Sequence, residues 1–257
     1  MELKEYLPTD SLKPFIKSYR VISCKEGQVN RVLPNTSMAL AFRISGQVSF
    51  SDHSASVVLP AITLSGLRKS ARLIKYNPQT TTIVVLFKQS GARAFFGKGI
   101  HALYEQSISL DDWYPKGEVS CLEEQLHAVN DIRNKIAVIE RFLLSKLLFP
   151  EEDKLVSEVM VRISTLCGII RIKELAGHFS MSQDALEKRF RKITGTTPKQ
   201  FCGIVRMNSI IHQCQSVPSF LDMAFENGYY DQSHFIKDFK VFTGQTPTAF
   251  FHSARYW

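Results

Sequence analysis

Two stretches decide the reading of this chain, LEKRFRKITGTTPKQF (Leu186–Phe201) and FIKDFKVFTGQTPTAF (Phe235–Phe250). Laid one over the other they match at a constant offset of 49 residues: Phe190 falls on Phe239, Thr194-Gly195 on Thr243-Gly244, Thr197-Pro198 on Thr246-Pro247 and Phe201 on Phe250. Upstream, Leu175-Ala176 and Met223-Ala224 correspond at an offset of 48, one turn being a residue longer. Self-similarity over this length means that one supersecondary unit is used twice.

Each copy carries its own start and stop signals. Leu186, Phe190 and Ile193 share one side of a helix, Gly195 supplies a left-handed end cap, and Thr197-Pro198 supply the N-cap and first position of the next helix. Phe235, Phe239, Phe242, Gly244 and Thr246-Pro247 repeat the arrangement. A short helix precedes each, from Ile172 to Phe179 in the first copy and from about Phe220 to Asn227, ended by Gly228, in the second. Helix, tight turn and helix with a small alanine at the crossing describe a helix-turn-helix. The expected layout is a first unit at about 171–194, a linker helix at about 198–213 and a second unit at about 219–243.

Ile172-Lys-Glu-Leu-Ala176, Met181-Ser182 followed by Leu186 and Phe190, and Gly228-Tyr-Tyr-Asp231-Gln-Ser233-His-Phe235-Ile-Lys-Asp-Phe239-Lys with Thr243-Gly244-Gln-Thr246-Pro247 resemble the paired helix-turn-helix signatures of the AraC/XylS regulators over roughly 155–252. The resemblance implies a sequence-specific DNA-binding transcription regulator whose second helix in each unit enters the major groove, with double-stranded DNA and RNA polymerase as partners. With the apolar face inward, Asp184, Lys188 and Arg191 turn outward on the first recognition helix and Glu187 lies at the edge of that face. Lys188 suits guanine O6/N7, and Glu187, which resembles a family base-contact position, and Asp184 suit cytosine N4. A solvated helix face is the competing reading of both carboxylates. Arg189 and Lys192 flank that face as phosphate contacts. On the second helix Ser233, Lys237 and Lys240 face outward, with Gln232 and His234 near its start. His234 reads as a neutral hydrogen-bonding residue, since no carboxylate or second ligand stands out beside it.

Charge divides the units unevenly: Arg162 to Arg206 carries a balance of +6, Asp222 to the end −1. The first unit is therefore expected to supply most of the phosphate affinity. The whole chain of 257 residues has a net charge of +8, of which +6 lies in residues 1–150, so total charge alone would mark the wrong half.

That half reads differently. Tyr19–Ser23, Met38–Ile44, Val57–Leu64, Arg72–Tyr76 and Thr80–Phe87 have the β-branched and aromatic composition of short strands, punctuated by Gly27, Gly46, Gly66 and Asn77-Pro78. From Ser90 the pattern turns helical, and Ile132, Ile136, Ile139, Leu143 and Leu147 form one apolar stripe ending near Phe149-Pro150. The polar run Glu151 to Lys154 marks a boundary. The expected fold is thus an α+β chain of two domains. A β-rich, barrel- or sandwich-like domain at 1–150 has strands in 1–88 and helices in 90–149. An all-α domain of about seven helices occupies 151–257. Similar regulators pair such a reader with a sensing or dimerising domain. A small uncharged or anionic effector is therefore expected within residues 1–88, and a homodimer partly through the Ile132–Leu147 stripe, although such stripes usually bury against their own domain.

Other classes find little support. Five cysteines form no CxxC pair, and His53 and His101 stand apart with His127 in the helical part, so no metal site is encoded. No GxSxG, HExxH, GxGxxG or phosphate-loop motif is present, and no catalytic or cofactor residue is assigned. No apolar run reaches the ~20 residues of a membrane span, and Glu2, Lys4 and Glu5 stand where a signal peptide would be apolar, so the expected location is cytoplasmic. Two alternatives remain: a protein-interaction module that keeps the double fold, and a β-barrel enzyme fused to a DNA-binding domain.

Overall fold

A computed structural model describes residues 1–52, 55–148, 153–213 and 224–252. Its contacts divide into two units. The first comprises residues 1–30, 37–66 and 73–152; the second comprises 153–257 together with 31–36 and 67–72.

Among the described residues of the first unit, ten strands build two sheets. β1 (Glu2–Tyr6), β2 (Ile16–Cys24), β4 (Ala39–Ser45), β7 (Ile62–Ser65), β9 (Thr80–Phe87) and β10 (Ser107–Ser109) form one sheet in the order β1-β2-β9-β4-β7-β10, every neighbouring pair antiparallel. β3 (Gln28–Val32), β5 (Val48–Asp52), β6 (Ala55–Val58) and β8 (Arg72–Tyr76) form the other, in the order β3-β8-β5-β6. Arg72–Tyr76 and Thr80–Phe87 are strands with the bounds that their composition suggests. Val57–Leu64, read as one strand, is instead the end of β6 and the start of β7, which lie in different sheets. Pro60 stands between them, without the N–H a continuous ladder would need. β1, β3, β5 and β10 carry little alternating apolar pattern, and the sequence reading passed over them.

The period-two alternation of the large sheet produces two buried cross-strand rows. Tyr19, Val85, Leu40 and Leu64 pair in one and Val21, Ile83, Phe42 and Ile62 in the next, none more than 5% exposed. β9 supplies both rows and is flanked by β2 and β4, so it is the centre of the sheet. Beyond its end, Phe87 packs on Phe95 and Phe96 of the one-turn helix α1 (Arg93–Phe96), at ring separations of 5.6 and 5.8 Å, and Phe95 also meets Phe15 at 5.6 Å.

The opposite face carries small residues. Ala41, Thr63, Ser65, Thr82 and Val84, with Arg43, line a cavity of about 120 Å³ whose other walls include Val48, Leu59, Ile74 and Tyr76.

Helices α2 (Lys116–Ala128) and α3 (Ile132–Ser145) complete this unit. Asp131 N-caps α3 by accepting from the amides of Arg133 and Asn134. Ile136, Ile139 and Leu143 are 7, 0 and 1% exposed, so the middle of the apolar stripe is covered within its own unit and offers no free face to a second copy. Two buried charges fix the helix there. Glu140 accepts the Thr9 amide at 2.9 Å, and Lys135 donates to the carbonyls of Leu126 and Val129 at the end of α2, its ammonium pushed below its usual range by burial.

The second unit contains α4 (Lys154–Thr165), α5 (Ile172–His178), α6 (Gln183–Thr194), α7 (Pro198–Gln213), α8 (Gln232–Thr243) and α9 (Pro247–His252), with helical residues 224–226 before α8. The expected start of the second unit's first helix near Phe220, the run at Glu151-Glu152 and His53 lie outside the described residues. Segments 31–36 and 67–72 are tied into this unit through the backbone of α8: the Ala71 amide donates to the Phe242 carbonyl at 2.9 Å and Arg31 to the Thr243 carbonyl at 2.7 Å. Among the described residues no helix is long and apolar enough to cross a membrane.

Phe95 joins sheet and helices, so Phe95→Ala should cost about 3–5 kcal/mol of stability through the cavity left behind. Leu144→Ala, at a position 42% exposed on α3, should stay within about 0.5 kcal/mol. Denaturant unfolding of the two variants beside the unsubstituted chain measures both.

Candidate nucleic-acid interface

The sequence repeat is reproduced bond for bond. Gly195 and Gly244 end α6 and α8 in the left-handed conformation at φ 81° and 77°, donating to the carbonyls of Arg191 and Lys240 at 3.0 and 2.8 Å. The hydroxyl of Thr194 donates to the Phe190 carbonyl at 3.0 Å and that of Thr243 to the Phe239 carbonyl at 2.8 Å. The same hydroxyls accept the amides of Thr196 and Gln245 at 3.3 and 3.1 Å. Each threonine thereby closes the exit of its helix while completely buried or nearly so. The ring centroids of Phe190 and Phe201 stand 5.4 Å apart, as do those of Phe239 and Phe250, all four side chains being fully buried.

Entry to each recognition helix is capped as well. Ser182 accepts the Ala185 amide at 3.2 Å and Asp231 the His234 amide at 2.8 Å. α7 begins with a reciprocal capping box, Thr197 accepting from the Gln200 amide at 3.2 Å while the Gln200 side chain accepts the Thr197 amide at 2.9 Å.

With their apolar sides fixed in this way, both helices turn the expected residues outward. Asp184, Lys188, Arg191 and Lys192 on α6 are exposed, as are Gln232, Ser233, His234, Lys237 and Lys240 on α8. Glu187 is half-buried at the edge of its face, where Gln183 donates to it at 3.0 Å. Arg189 is engaged: its guanidinium makes a two-pronged pair with Asp153 at 3.0 and 3.1 Å, and Asp153 also caps α4 through the Val156 amide at 3.1 Å. In the free protein Arg189 therefore ties the recognition helix to α4. His234 does have a carboxylate beside it, contrary to the sequence reading. Asp238, one turn on, stands 3.8 Å away, both side chains well exposed, which makes a weak surface pair.

Two residues escaped the sequence reading. Tyr230, immediately before the Asp231 cap, is 91% exposed, an aromatic ring presented beside the start of α8. Arg206 of α7, counted only as a charge, holds its guanidinium 4.6 Å from the centre of the Tyr229 ring. Nothing along the sequence links a residue of α7 to the turn before α8. Among the described residues no three His, Cys, Asp or Glu side chains are grouped as metal ligands.

Residues 175–253 match the family model described as a helix-turn-helix domain, and residues 4–109 match one described as a domain of unknown function (DUF6597). No curated protein matches the sequence. Solved structures with a similar arrangement include ToxT from Vibrio cholerae, 14% identical at a TM-score of 0.46 over 90% of this chain and 96% of that one. Unsaturated fatty acid bound ToxT from V. cholerae strain SCE256 is 15% identical at 0.43 over 90% and 93%. The AraC-like transcriptional activator CuxR is 9% identical at 0.27 over 82% and 86%. The matched domain and the duplicated caps define the class: the carboxy-terminal part of the chain is an AraC-type helix-turn-helix domain, of the kind found in DNA-binding transcription regulators.

Because Arg189 and Lys192 differ in their partners, they should respond differently to truncation. Arg189→Ala removes the two-pronged pair from Asp153, whose side chain is 14% exposed, and should lower stability by about 1 kcal/mol, whereas Lys192→Ala should change it by less than about 0.5 kcal/mol. Thermal unfolding of the two variants without DNA makes the comparison.

Proposed function

We propose that this chain is a sequence-specific transcription regulator that reads two successive major-groove segments of one duplex, the first through α6 and the second through α8. The observation that carries this reading is the bond-for-bond repetition of the two caps, which turns an outward polar face on each helix. A lone helix-turn-helix would say less. α7, sixteen residues long, spans about 24 Å at the helical rise and joins the two units, and consecutive major-groove faces repeat at about 34 Å.

Within that reading Lys188 and Arg191 donate to base edges, Glu187 and Asp184 accept from cytosine, and Gln232, Ser233, His234, Lys237 and Lys240 serve the second segment. Lys192 neutralises a phosphate, and Arg189 does so only by leaving Asp153. Lys188→Ala in the full chain should cost about 1–3 kcal/mol at the preferred site and relax the choice of base there. Lys192→Ala should weaken all duplexes alike and make the slope of log affinity against log salt shallower by about one. Duplexes selected from a random pool, followed by salt titrations, test both expectations. A folded chain with no salt-sensitive affinity for any duplex at low ionic strength would leave the protein-interaction alternative standing.

The first unit suits a modulating role. Its cavity of about 120 Å³ is lined by Arg43 and by the buried Thr82 hydroxyl, which has no hydrogen-bond partner. The space is far below the ~300 Å³ of an ordinary ligand pocket, so it suits an effector of a few heavy atoms, anionic or uncharged. Short carboxylates of two to four carbons should raise the melting temperature, and Ala41→Leu, which fills the cavity, should remove the rise. A rise that survives Ala41→Leu would place the anion elsewhere.

A further inference from the structure

Two turns meet the linker helix around one of its arginines. Gly168, at φ +74° in the turn before the first helix-turn-helix, lies so close to α7 that a Cβ there would stand 2.3 Å from the Cys202 carbonyl and 3.0 Å from the Arg206 Cβ. Gly228, at φ +75° in the turn of the second unit, approaches Ile169 less tightly: a Cβ there would be 3.3 Å from the Ile169 Cγ2. From the far end of the same Arg206 side chain, the guanidinium covers the Tyr229 ring at 4.6 Å. The lead into the first unit, the linker helix and the turn of the second unit thus converge on Arg206.

The contact leads directly to the reading face. Tyr229 is 4% exposed, and its ring meets Phe235 edge-on at 5.4 Å and His234 at 5.5 Å. Phe235 anchors α8 in the core, and His234 stands on its exposed side. Asp238 of α8 also bears on the Tyr229 phenol. The Arg206 Nε is buried and makes no hydrogen bond, so this part of the side chain offers Tyr229 flat area and charge over its ring. A half-buried cation held in this way, where simple packing would be served by a leucine, points to a demand on geometry rather than on stability.

We propose that Arg206 is a positioning residue for DNA reading. Through Tyr229 it fixes α8 in phase with α6, so that the second segment of the site is engaged together with the first. The proposal rests on the DNA reading given above. It falls on the second unit because that unit, with a charge balance of −1 from Asp222 onward, has little phosphate attraction to hold a misaligned helix in the groove.

The test uses the full chain and two duplexes, one selected from a random pool and one with the segment read by α8 randomised. The ratio of the two affinities measures engagement of the second helix. Arg206→Met should bring the ratio down roughly 3- to 30-fold, the range of a desolvated cation–ring contact, while leaving affinity for the randomised duplex unchanged. Arg206→Lys, which keeps a cation over the ring, should restore most of the ratio. Tyr229→Leu should lower the ratio as Arg206→Met does, and the double variant should lose no more than either single one. An unchanged ratio in Arg206→Met overturns the proposal, as does an equal loss on both duplexes accompanied by a lower melting temperature, which would make Arg206 merely structural. If the unsubstituted chain binds neither duplex, the DNA reading itself fails and the proposal with it, an outcome told apart by that control.

Discussion

Each reading unit depends on one arrangement: a phenylalanine pair across the angle between two helices, held by a buried threonine and a left-handed glycine. Phe190 against Phe201 and Phe239 against Phe250 set the distance between recognition helix and following helix at the same 5.4 Å in both copies. Neither pair would keep its geometry if the chain left the recognition helix at another angle. The glycine makes the exit possible, since an L side chain in that conformation is strained, and the threonine hydroxyl accepts an amide of the turn that follows. From this follow the inward face of α6, the inward face of α8 and, by subtraction, the residues available to another molecule.

The same constraint explains why the carboxy-terminal half was legible in the sequence. Its signals are local: glycine, threonine and proline at fixed offsets, with phenylalanines three and four residues apart. Gly195, Thr197, Pro198, Gly244 and Thr246 do what their positions suggest because capping involves groups within four residues of one another. The amino-terminal half was readable only where both neighbours of a strand are strands, as in β9. Val57–Leu64 misled because apolar composition continues across Pro60 while the hydrogen-bond ladder does not. β1 is an edge strand exposed over most of its length, and β3 and β5 are short strands of the small sheet, so none of them carries a strong apolar alternation. The apolar stripe of α3 was visible, but not what holds it in its unit, which includes the buried Glu140 and Lys135 that look like surface charges in the sequence.

Site residues divide along the same line. Outward positions on α6 and α8 follow from helical periodicity once the inward face is known. Their partners do not. The pairing of Arg189 with Asp153 joins residues 36 apart, and Arg206 of α7 reaches Tyr229 in the turn before α8, so neither could be seen in one dimension. The two units also differ in character, since the basic first unit has attraction to spare while the second offers Gln232, Ser233, His234 and the exposed Tyr230 ring with only two lysines on its helix. A division of labour follows, the first unit holding the duplex and the second discriminating among sequences.

Hydroxyl-radical footprinting of the full chain on a duplex for which it has been selected tests this account most directly. Two protected segments should appear on one face of the duplex, about one helical turn apart, at roughly 10 base pairs centre to centre. A single protected segment, or two segments on opposite faces, would contradict the claim that the duplicated units read one duplex together.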